Sequence, residues 1–129
     1  EYVKDISKAV WEKLIMVASI GSMMCFSNMS AKETVENATF FNILKEMIIE
    51  MTNAAISIGV DIENKYAENT LDYILGRSHE LHSSLKEDFD NKRQLEVDEI
   101  LGEALRTGLK SEVNMPNCQN VYNKLIKFA

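Results

Sequence analysis

The chain predicts an all-α domain. Apolar residues recur at intervals of three and four, strand-like alternation is missing, and one proline and five glycines are the few strong breakers in 129 residues. That length suits one domain, residues 1–129, able to bury a core without disulfides.

The first helix covers about residues 4–27. Val3, Ile6, Val10, Leu14, Val17, Gly21 and Met24 share one face at helical spacing and form its expected core stripe. Ser30-Ala-Lys-Glu33 is a capping box, so a short second helix starts there and ends near Asn37. Asn37 or Thr39 caps a third helix reaching about Ile58. Its stripe is Phe40, Leu44, Met47, Ile48, Met51, Ala55 and Ile58, and Gly59 is its C′ residue. Asp61 is the candidate cap of a fourth segment, which carries Tyr66, Leu71, Ile74 and Leu75 and ends near Gly76. Ser78–Ser84 is polar and reads as a loop. Helical segments follow over about Ser84–Asn91 and Gln94–Thr107, the second stopped by Gly108. Pro116 fits the first turn of a last helix holding Val121, Tyr122, Leu125, Ile126 and Phe128.

Composition narrows the function classes. The hydrophobic share of 46% and charged share of 26% are those of a soluble globular protein. A net charge of −6 argues against a nucleic-acid surface. Cys25 and Cys118 stand far apart, as reduced thiols of a cytoplasmic protein do. The longest apolar run, Leu14–Phe26, has 13 residues, short of the roughly 20 needed to cross a membrane. Glu1, Asp5 and Glu12 lie where a secretory leader is basic. The first residue is Glu, so the chain reads as a fragment or a processed product. No G-x-G-x-x-G and no P-loop occurs, so the chain does not by itself hold dinucleotide phosphates in the usual way.

Candidate chemistry is sparse. His79 and His82 are three apart, but no third ligand is placed beside them, and they read as loop histidines. Met16, Met23, Met24, Met47 and Met51 read as core fillers. Glu96, Glu99 and Glu103 cluster on the side of their helix away from Val97, Leu101 and Ala104, as a solvated face does. Asp98 falls nearer the apolar flank and is the odder residue. Lys13 lies roughly 60° from the centre of the first helix's apolar stripe. A snorkelling lysine sits there; so does an ammonium facing a cleft as a general acid or anion ligand.

Several blocks together resemble one family. Trp11-Glu-Lys13-Leu14 resembles the W-x-K-L that opens the C-terminal domain of ketopantoate reductases (2-dehydropantoate 2-reductases). Ser83-Ser-Leu-Lys-Glu-Asp88, then Arg93-Gln-Leu-Glu96-Val-Asp98, then Gly102, resembles the family's S-S-M-x-x-D…R-x-T-E-I-D-x-x-x-G. Met115-Pro116-Asn117 followed by Val121-Tyr122-Asn-Lys-Leu125 resembles its closing segment. The resemblance runs from Trp11 to Phe128, and the middle block is its most specific part.

The resemblance implies a helical C-terminal domain of the 6-phosphogluconate dehydrogenase C-terminal-like type, with the N-terminal Rossmann domain absent from this chain. It implies an NADPH-dependent 2-oxo acid reductase of pantothenate biosynthesis, cytoplasmic and homodimeric, acting on substrate held between the two domains. No nucleic acid and no membrane is implied as a partner. Lys13 matches the lysine that protonates the developing alkoxide, a role suited to an ammonium. Ser84 matches the serine beside the substrate hydroxyl. Glu96 matches the glutamate associated with the cofactor and the lysine. No metal is implied, and this chain alone is expected to be inert. Departures accompany the match. Val17 and Gly21 stand where the family carries asparagines that hold substrate, and neither offers a side-chain hydrogen bond. Leu85 replaces a methionine and Leu101 an asparagine. A more apolar 2-oxo acid is therefore one alternative, and a helical dimerisation module that has lost the chemistry is another.

Overall fold

The computed structural model describes residues 2–129, with side chains from Ser7 onward. Among the described residues the secondary structure is helical throughout: α1 (Tyr2–Ser27), α2 (Ala31–Glu36), α3 (Ala38–Ser57), α4 (Tyr66–Arg77), α5 (Ser84–Asp90), a π turn (Asp98–Gly102) running into α6 (Glu103–Lys110), and α7 (Pro116–Leu125) followed by a 3₁₀ turn (Ile126–Phe128). Helix α3 is the hub. It packs against α1, α2, α4, α6 and α7, while α1 also touches α5, α7 and the π turn.

Local chemistry sets the boundaries. Ser30 Oγ accepts from Glu33 N at 3.1 Å and Glu33 Oε1 accepts from Ser30 N at 3.2 Å, completing the capping box. Asn37 ends α2 and caps α3 at once, its Oδ1 accepting from Phe40 N at 3.1 Å. Gly59 takes φ +89°, which lets Val60 N reach Ala55 O and Gly59 N reach Ile56 O. That is the Schellman closure of α3. Met23, Leu44, Met47, Ile48, Met51 and Ile74 are fully buried, each worth about 1.5–3 kcal/mol of transfer free energy. Met24 is buried as well, and Met16 packs half-buried against this core.

Four expectations need correction. The core face of α1 is Ile15, Ala18, Ser19, Ser22 and Met23, not the Val10–Leu14–Val17 stripe. Val10 is 58% exposed, and Leu14 and Val17 are only half-buried; Val3 and Ile6 lie outside the described side chains. Small serines in the core shifted the apparent stripe. Asp61 does not cap α4, whose N-cap is Lys65 without a side-chain bond. The helix expected over 94–107 becomes helical only at Val97, and its first full turn is π. Gly108 does not stop α6 but lies inside it, where a Cβ would meet Ala54 at 3.0 Å. The absent side chain leaves room there for Met115 as well as for α3.

By length and composition, Ser7–Ser27 is apolar enough to cross a membrane. Half of it is buried against the other helices, as in a core helix of a bundle.

Candidate functional site

Lys13 is exposed on α1, on the side away from Ile15 and Ser22. Val17 and Gly21 follow it at intervals of four, on one ridge. The ridge starts in solvent and ends under α5. An ideal Cβ on Gly21 would stand 2.9 Å from Ser83 Oγ and 3.6 Å from Leu85 Cβ. The missing side chain is thus what lets the start of α5 sit on α1. Ser83 caps α5 by accepting from Lys86 N at 3.2 Å, and Ser84, the first residue of the helix, stays exposed. Lys13 and Ser84 are both exposed, and Val17, between Lys13 and Gly21 on the ridge, is half-buried. Lys13 to Gly21 is about 12 Å along the helix axis.

A second tether fixes the helix beside Lys13. Tyr66, at the start of α4, donates its hydroxyl to the carbonyl of Glu12 at 2.7 Å. Burial pushes its phenol above the ordinary range. The sequence offered no signal for this beyond an aromatic residue near a helix start.

Glu96 is exposed, two residues before the π segment that packs on α1. Among the described residues, the side chains of Lys13, Ser84 and Glu96 make no hydrogen bond or ion pair, to one another or to other residues. The packing at Gly21 sets the start of α5, which carries Ser84, on the helix that carries Lys13. Glu96 reaches α1 only through the backbone that follows it.

Asp98 is half-buried and well held. Its Oδ1 accepts from Tyr122 Oη at 2.6 Å and from Arg106 Nη1 at 2.8 Å, while Arg106 Nη2 donates to the Asp98 carbonyl at 3.0 Å. Tyr122 first and Arg106 second hold the carboxyl below its usual range, and Asp98 in turn raises the Tyr122 phenol. Gly102 makes the room, since a Cβ there would lie 2.7 Å from Asp98 Oδ1. The amphipathic position of Asp98 marked it in sequence; its partners, eight and 24 residues away, did not show. His79 and His82 are exposed beside Glu80 and Glu87. Among the described residues no group of three His, Cys, Asp or Glu stands together to hold a metal. Cys25 and Cys118 are free and buried.

The described residues form a helical domain with Lys13 exposed beside the half-buried Val17. Residues 5–129 match the family described as ketopantoate reductase PanE/ApbA C terminal. The chain belongs to that family, as its C-terminal helical domain. A 2-dehydropantoate 2-reductase of Nostoc sp. strain PCC 7120 is 25% identical over 125 residues, covering 97% of this chain and 39% of the relative. The fold matches the dimeric ketopantoate reductase from Staphylococcus aureus with a TM-score of 0.88 at 19% identity, covering 95% of this chain and 43% of that one. It matches a 2-dehydropantoate 2-reductase from Methylococcus capsulatus with a TM-score of 0.83 at 21% identity, covering 95% and 42%. The chain therefore spans about two fifths of the length of these relatives.

Proposed function

We propose that this chain is the substrate-side half of an NADPH-dependent 2-oxo acid reductase, with ketopantoate as the reference substrate. The observation that carries the reading is Lys13: an exposed ammonium on the α1 ridge whose far end, at Gly21, meets Ser83 at the start of α5. When bound, NADPH supplies the hydride. Lys13 stabilises the oxyanion that forms on the substrate carbonyl and donates a proton to it. Ser84 offers its exposed hydroxyl to the substrate. The exposed carboxylate of Glu96 has the acceptor capacity to take hydrogen bonds from cofactor hydroxyls or to orient the lysine. The chain has no glycine-rich turn for phosphates, so a partner Rossmann domain is assigned that task. The similarity to a dimeric reductase supports a homodimer, and the family supports a soluble cytoplasmic enzyme.

The substrate's own side chain meets Val17 and the Gly21–Ser83 contact. A more apolar 2-oxo acid than ketopantoate is the second reading, favoured because Ser83 occupies the space an asparagine side chain at Gly21 would need. Full-length protein assayed for NADPH oxidation against a panel of 2-oxo acids tests both. Turnover with the panel supports the reductase, and the best substrate decides between the readings. No turnover with any of them removes the reductase reading. The 129-residue chain alone is expected to be inactive in the same assay.

A further inference from the structure

A π turn is a poor way to run a helix, with worse packing than the α form, and it persists only where neighbours hold it. Here the holding group is visible. Asp98 is the first residue of the π segment and Gly102 the last. Arg106, one turn further on, grips both the carboxylate and the main-chain carbonyl of Asp98. Tyr122 adds a third bond from α7. The clamp closes over Gly102, where a Cβ would stand 2.7 Å from Asp98 Oδ1, 3.0 Å from Tyr122 Cε1 and 3.1 Å from Arg106 Nη1. Two residues upstream, Glu96 has no side-chain partner among the described residues. The backbone fixes where that side chain starts. Leu95 fixes that backbone on one side, buried and bonded from its N–H to Phe128 O at 2.9 Å, and the clamp fixes it on the other.

We infer that Asp98, clamped by Arg106 and Tyr122 over Gly102, is a positioning residue that holds the backbone from which Glu96 presents its carboxylate to the cofactor. The inference rests on the proposed reductase reading of Glu96. It goes beyond that reading by assigning work to four residues that touch neither substrate nor cofactor.

The test uses the full-length protein and four variants: Asp98→Asn, Tyr122→Phe, Glu96→Gln and the Asp98→Asn/Glu96→Gln double variant. Each is assayed for kcat and for KM toward NADPH, with thermal midpoints measured in parallel. Asp98→Asn is expected to lower kcat/KM about tenfold, the worth of one charge-assisted hydrogen bond. Tyr122→Phe, which keeps the ring, should move the same parameter by less. In the Glu96→Gln background the Asp98→Asn change should cost nothing more, because the group being presented is gone. A merely structural role predicts a lower midpoint with kcat/KM unchanged, or a loss that adds fully to that of Glu96→Gln; either result overturns the inference. A Glu96→Gln protein as active as the parent overturns it too, by removing the group it acts through. A parent with no turnover on any 2-oxo acid sinks the reductase reading and the inference together, whereas an active parent with a silent Asp98→Asn variant sinks the inference alone.

Discussion

Helix α1 spends its two halves differently. From Ala18 to Cys25 every residue is buried, serines included. From Val10 to Val17 only Ile15 is buried, and Val10 is 58% exposed beside Lys13. Composition does not separate the two stretches, since both are mostly apolar. What separates them is cover. Helix α5 lies on the second half from Gly21 on, while the first half keeps Lys13 exposed and Val17 only half-buried.

Substitutions sharpen this contrast, beginning with the largest effect. Met23→Ala, fully buried, should destabilise the folded chain by about 2–5 kcal/mol in denaturant titrations. Val10→Ala, on the exposed half, should stay within about 0.5 kcal/mol of the parent. Similar losses at the two sites would break the comparison. Gly21→Asn probes the boundary between the halves. Its side chain collides with Ser83, so stability should fall by about 1–3 kcal/mol as α5 is forced off α1. Unchanged stability there would mean α5 yields freely.

Glu50 offers a comparison outside α1. Its buried carboxylate accepts from Asn117 N, Asn117 Nδ2 and Cys118 N at 2.8–3.0 Å and so caps α7 from α3. Glu50→Ala leaves those donors unpaired, at a cost of about 1–3 kcal/mol measured as a lower unfolding midpoint.

A further effect is a pH dependence. Burial pushes the Cys25 thiol from 9.0 to about 12. A raised folded-state value favours the protonated thiol in the folded chain. Its contribution is therefore fully present below pH 9 and lost as pH rises from 9 to about 12. Stability measured across that window should decline, and Cys25→Ala should flatten the decline.

How much of this was legible depends on range. Signals acting over three to five residues read correctly: the Ser30–Glu33 box, Asn37 between two helices, Gly59 at φ +89° and Pro116 opening α7. Features set by distant packing did not. Ser19 and Ser22 look polar in sequence, yet they face the core because a small side chain lets helices approach closely. Gly108 looks like a stop and is instead a contact with Ala54. The π turn at Asp98–Gly102 is bonded by Arg106 and Tyr122, too far along the chain for local pattern to report. Lys13 was visible as a lysine bordering apolar positions. Its standing opposite the true core face was not, because the stripe used to place it was the wrong one.

The central claim is that Lys13 is placed for chemistry rather than for packing. The direct measurement is kcat of Lys13→Ala in the full-length protein with NADPH and its best 2-oxo acid, alongside its melting temperature. The account predicts kcat lower by roughly 10²- to 10⁴-fold, the usual worth of a general acid, with melting unchanged because the side chain is exposed. An unchanged kcat would contradict it.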